Sequence, residues 1–167
     1  PFPALEKAGA EKFDFFILAG DTTYNDSATT LSQYRAKWLG QVGQSTYRSL
    51  LSSTGNFATW DDHEVANDWN PETIDKTRLA NATQAFFEHL PVRRHTSEAN
   101  RIWRSASWGD TLEIFVLDSR SERKPSTASG PNAQYLSPAQ LSWLQSGLVA
   151  STATFKIIVT SVPITNM

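Results

Sequence analysis

Residues 13–21, Phe-Asp-Phe-Phe-Ile-Leu-Ala-Gly-Asp, decide the fold. Phe13 to Ala19 is a short, nearly continuous apolar run, too brief for an ordinary helix and rich in aromatic residues. Such a run predicts a buried strand. It stops abruptly at Gly20-Asp21, a carboxylate at a strand end. The same design recurs in Asn56 to Trp60 (NFATW), which runs straight into Asp61-Asp62-His63.

Outward from these strands the pattern alternates. Thr29 to Leu51 carries apolar and aromatic residues at helical spacing, with Leu31, Tyr34, Trp38, Leu39 and Val42 on one side. Gly40 and Gly43 argue against one unbroken helix there. After Pro71, with Glu72 and Asp75 suited to a helix start, Thr73 to Leu90 reads as a helix closed by Pro91. Ile102 to Trp108 and Thr111 to Leu117 flank Gly109-Asp110 and predict a hairpin. The second of these strands ends on Asp118-Ser119-Arg120. Lys124 to Asn132 (KPSTASGPN) has loop composition. Ser137 then caps a helix from Pro138 to Val149, and Phe155 to Val162 is the last strand. Strands alternating with helices give an α/β layered fold in a single domain.

Composition narrows the function classes. With 167 residues, 40% hydrophobic and 19% charged, the chain can bury a core. A formal net charge of −2 offers no electrostatic argument for nucleic acid or an acidic membrane. There is no cysteine, so disulfides, thiolate-metal sites and cysteine nucleophiles are excluded within this stretch. No apolar run approaches the roughly 20 residues of a membrane span. No GxSxG elbow supports a serine hydrolase. Opening at Pro1 and stopping at Met167 just past a strand, the chain reads as a piece of a longer one.

The chemistry concentrates at the strand ends. Ligands of open α/β sheets gather beyond the carboxyl ends of the strands, so Asp21 and Asp62 can converge despite their sequence separation. Paired carboxylates there suit a hard cation. Tyr24, three residues past Asp21, adds a phenol, a strong ligand for a trivalent metal. The bland alternative is a plain Gly-Asp turn with Tyr24 packed at its edge. Trp60 to Trp69 (WDDHEVANDW) packs four acids, a histidine and an amide into ten residues with no balancing cation. Acids held so closely favour a bound cation or raised pKa values. His63 suits phosphate positioning or leaving-group protonation, or else a purely structural bond to a neighbouring acid. His89 and His95, in or just after a helix, read as packing or surface residues.

Together, GDTTY (20–24) after an apolar strand and WDDHEVANDW (60–69) resemble the alkaline phosphatase D, or PhoD-like, branch of the metallophosphoesterases. FVLDSR (115–120), AFFEHLPVRR (85–94) and the segment from Ser137 to Pro163 agree, so the resemblance spans essentially the whole chain. It implies a β-sandwich flanked by helices and a two-metal centre, holding ferric iron and calcium in some members and manganese, magnesium or zinc in relatives. By resemblance Asp21 is the bridging carboxylate and Tyr24 the iron-binding tyrosine. The Asp62-His63 pair places one side chain on metal and one on phosphate, and Asn67 is a candidate metal ligand. Arg120 either contacts substrate or forms a buried ion pair with Asp118. The family's first metal motif, an acidic residue accompanied by a cysteine, is expected before Pro1, and its late Asp- and His-containing motifs beyond Met167.

The expectation is therefore the central part, residues 1–167, of one catalytic domain, with an incomplete sandwich. Its substrate is a phosphate monoester or diester, attacked by a two-metal-activated hydroxide. Its partner is the remainder of the same domain, and its location is secreted, periplasmic or at the cell surface by resemblance. The alternative is a catalytically incomplete fragment that binds metal or phosphate without turnover.

Overall fold

A computed structural model describes residues 2–127 and 133–163. Five helices and two small sheets form a mixed α/β arrangement. The chain runs α1 (Pro3–Ala10), β1 (Phe15–Ala19), α2 (Leu31–Val42), α3 (Ser45–Ser53), β2 (Gly55–Thr59), α4 (Lys76–His89), β3 (Arg104–Trp108), β4 (Leu112–Val116), a 3-10 turn at Pro125–Thr127, α5 (Pro138–Ala150) and β5 (Phe155–Val159).

The period-2 pattern of β1 explains its unbroken apolarity. β1 pairs in parallel with β2, and both faces of this pair are covered. Phe16, Leu18 and Ala58 join Trp60 in the main core with Tyr34 and Trp38 of α2 and Phe86 of α4. On the other side Phe15, Ile17 and Phe57 meet Ile114, Val116 and Val159 of the second sheet. That sheet has the order β3-β4-β5, with β3 antiparallel and β5 parallel to β4. The far face of β4 packs under α5, through Phe115 with Leu144, Trp143 and Leu148 and through Leu117 just past the strand end. Gly147 is the close-approach point, since a Cβ there would come 2.6 Å from Phe115 Cε1.

Local signals set the helix ends. Thr30 and Gln33 close a reciprocal capping box at the start of α2. Asp75 caps α4 and Ser137 caps α5, each accepting from the backbone three residues on. The long helical pattern after Thr29 breaks at Gly43-Gln44 into α2 and α3. Leu39, expected on the buried side, is 66% exposed: the face set by Tyr34 and Trp38 is narrow. α4 starts at Lys76, later than Thr73, because Asn70 holds residues 72 and 73 in a turn. α1 has no counterpart among the sequence expectations. It buries no residue fully and is fixed by Phe2 against Tyr47 and by Leu5 against the core. Most of the Lys124–Asn132 loop lies outside the described residues.

Candidate metal centre at the strand ends

Gly20 and Asp21 leave β1 with φ of 107° and 53°. This double left-handed step is one glycine tolerates readily and aspartate at modest cost. It presses Gly20 so near the end of β2 that a Cβ would stand 2.8 Å from Asp61 Cβ and 2.9 Å from Asp61 N. Because β1 and β2 are parallel neighbours, their carboxyl ends share one rim. Asp21, Asp62 and His63 meet there, one ligand atom from each lying within 4.8 Å of the others.

Glu64 holds the two loops together from beneath. It is fully buried; its Oε1 accepts from Thr22 N at 2.5 Å and its Oε2 from Asp61 N at 2.9 Å. Burial pushes its carboxyl up to about 7, against the pull of these backbone donors. Asn25 completes the stitch, donating from its backbone to His63 O at 2.8 Å and from its amide to Glu64 O at 3.0 Å. Behind the loops, Tyr34 donates to Val65 O at 2.8 Å, while Arg78 reaches Asp26 O and Ala28 O.

Each expected residue takes a distinct place. Asp62 is buried, with Oδ2 accepting from Asp68 N at 2.5 Å and Oδ1 3.2 Å from the Arg120 guanidinium. Burial pushes its carboxyl up, but the Asp68 amide and Arg120 outweigh that and hold it below the ordinary value. Asp21 is exposed; partial desolvation and the Asp61 charge raise it. His63 donates from Nδ1 to Asp26 Oδ1 at 2.8 Å, leaving Nε2 as the ring nitrogen for a metal or a substrate. Desolvation pulls the imidazole down, yet Asp26, Asp62 and Asp21 together hold it above its usual pKa. Tyr24 lies over His63 with ring centroids 4.2 Å apart, and the Asp21 charge raises its phenol.

One expectation changes. Arg120 is buried, but not as the partner of the Asp118 carboxylate. Its side chain grips Asp61 through Nε and Asp62 through Nη2, while Asp118 Oδ1 accepts only its backbone N–H, at 3.1 Å. Asp118 is wholly buried; it also accepts from Trp60 Nε1 and Ser121 N and so shapes the end of β4. Asn67 is exposed; its amide nitrogen donates to Asp68 Oδ2 at 2.9 Å, and its carbonyl oxygen is the atom a metal would take. His89 is a packing residue, stacked 6.0 Å from Trp38.

Asp26, Asp61 and Glu64 are the site-building residues that sequence reasoning left without roles. Glu64 and Asp61 lay in the crowded acidic segment, but only the fold pairs them with Thr22 and Arg120.

The family model described as PhoD-like phosphatase matches residues 1–167. The chain belongs to the PhoD-like phosphatase family. It is 27% identical to alkaline phosphatase D of Bacillus subtilis (strain 168), over 94% of this chain and 34% of that protein. A solved structure described as "Structure of PhoD" superposes with a TM-score of 0.80 at 23% identity, covering 93% of this chain and 37% of that one. The PhoD-like chain thus spans about a third of the length of both relatives and shares the fold of that part.

Proposed function

We propose that residues 1–167 are the central part of a catalytic domain that hydrolyses phosphate monoesters, diesters or both. Asp21, Asp62 and His63 form one side of its two-metal centre. The supporting observation is their convergence within 4.8 Å at the ends of adjacent parallel strands. The donor set, two carboxylates and an imidazole beside a phenol, fits hard or strongly Lewis-acidic cations. When bound, two metal ions would polarise the phosphoryl group and acidify a water for in-line attack. Ferric iron and calcium are the pair the family resemblance favours, with manganese, magnesium or zinc as substitutes.

The chain's own residues then divide the work. Asp21 would hold metal through its carboxylate, and the phenol of Tyr24 would suit a ferric ion. Asp62 is a ligand held still by the Asp68 amide and Arg120, which makes Arg120 a positioning residue. His63, oriented by Asp26 through Nδ1, offers Nε2 to a phosphoryl oxygen or the leaving alcohol. Asn67 would serve as a further ligand through Oδ1, while its Nδ2 stays on Asp68. The two sheets belong to a metallophosphoesterase-type sandwich that flanking chain completes, and the whole protein is secreted, periplasmic or at the cell surface.

The test is hydrolysis of chromogenic phosphate mono- and diesters by the full-length protein with added metals. Asp62→Asn is expected to lower kcat/KM by about a hundredfold or more. Full activity in that variant, or none in the wild type with any metal, would sink the reading. A second reading, a fragment that binds metal or phosphate without turnover, has its own support. Among the described residues only one three-membered ligand group converges, and the chain covers about a third of its relatives. Residues 1–167 alone binding metal without hydrolysis would favour it for this piece.

A further inference from the structure

The loop from β1 to α2 is fastened in two separate halves. Its first half, residues 20–25, is tied to the end of β2: Glu64 accepts from Thr22 N, and Asn25 donates to His63 O and Glu64 O. Its second half, residues 26–29, is tied to α4. Arg78 donates from Nη2 to Asp26 O at 2.6 Å and from Nε to Ala28 O at 3.0 Å, and Asn81 Nδ2 donates to Thr29 O at 3.0 Å. Three of four successive carbonyls thus rest on two side chains that lie one helical turn apart on α4.

The third partner of Arg78 is the Tyr34 phenol, 3.2 Å from Nε, and Tyr34 in turn donates to Val65 O behind the other loop. A planar guanidinium fork can meet two carbonyls and a phenol at once, which a lysine ammonium cannot reproduce. What this arrangement holds still is Asp26. Its side chain is exposed, and its Oδ1 lies 2.8 Å from Nδ1 of His63. An exposed carboxylate can orient an imidazole only if the backbone that carries it is itself fixed.

We propose that Arg78 and Asn81 are positioning residues for the hydrolysis: through the backbone of residues 26–29 they set the Asp26 carboxylate, and through it the aim of His63 Nε2 at the reacting phosphate. The inference rests on the phosphoesterase reading above. The metal-bearing carboxylates are anchored independently of α4. Asp21 lies in the first half of the loop, and Asp62 is held by the Asp68 amide and Arg120. Loss of Arg78 or Asn81 therefore misdirects His63 without emptying the metal centre.

The test is a double-mutant cycle on the full-length, metal-loaded protein, read as kcat for a chromogenic phosphate ester, with bound metal measured on the same samples. Asp26→Ala and Arg78→Lys should each lower kcat by about tenfold or more, with metal content unchanged. In the Asp26→Ala background Arg78→Lys should cost less than about twofold further, because its effect passes through Asp26. Asn81→Ala removes a single loop contact and should show the same non-additivity at a smaller loss, about threefold. It carries the test if Arg78→Lys folds poorly. Full kcat in Asp26→Ala or in both α4 variants, losses that multiply, or losses that track missing metal overturn the proposal and leave the phosphoesterase reading intact. No hydrolysis of any chromogenic ester by the wild type overturns both.

Discussion

Gly20 sits where the backbone turns left-handed and where a Cβ would strike Asp61. Gly20→Ala therefore should destabilise by about 1–3 kcal/mol and displace Asp21, read as a lower denaturation midpoint together with lost metal binding. Glu64 makes a second residue-scale prediction. Both of its oxygens accept backbone N–H groups, so Glu64→Gln sets an amide donor against one of them, at about 1–3 kcal/mol. The pH dependence has a definite sign. Its folded pKa is raised from 4.5 to about 7, so the stability it permits is complete below 4.5 and declines as pH rises toward 7. Chelator-treated wild type should show that decline in urea melts, and Glu64→Gln should lack its share. Asp21, Asp62 and His63 were legible in sequence because carboxylates cap apolar strands. Glu64 and Asp26 were not, because their partners are 42 and 37 residues away and appear only once β1 and β2 pair.

Elements bring those partners together through a few buried polar links. Gln140, on the first turn of α5 and fully buried, accepts from Asp118 N and donates to Asp118 O and Glu122. Gln140→Leu keeps the bulk but strands both Asp118 backbone groups, which should cost about 2–4 kcal/mol in a denaturation experiment. If stability is unchanged, α5 is not what fixes the end of β4. Strand and helix positions were readable from period and caps: FFILA and the Ser137-Pro138 helix start form where expected. The mis-set boundaries have local causes, such as the Asn70 turn that delays α4. α1 is a weak signal because it is only eight residues long, buries no side chain fully and touches the core through Phe2 and Leu5 alone.

At the scale of the molecule, the first sheet has two strands and the second three, so the apolar layer between them is open beside β5. Phe155 is 62% exposed, and Ile157 and Ile158 are also exposed. Phe155 and Ile157 share one face of this edge strand, and exposed apolar side chains on a strand edge bind hydrophobic dyes and promote self-association. Residues 1–167 alone should bind such a dye and associate, and Phe155→Lys should reduce both. Dye binding equal in the variant would contradict the open-layer account. How the two sheets face each other could not be read from the sequence, since β4 pairs with β5 across a whole helix. The central claim, that the rim of β1 and β2 is a metal centre, is tested most directly by anomalous diffraction from crystals of the full-length protein grown with its metals. The account predicts an anomalous peak within roughly 2–2.6 Å of both Asp21 and Asp62 carboxylates. Metal peaks elsewhere, with none against either aspartate, would contradict it.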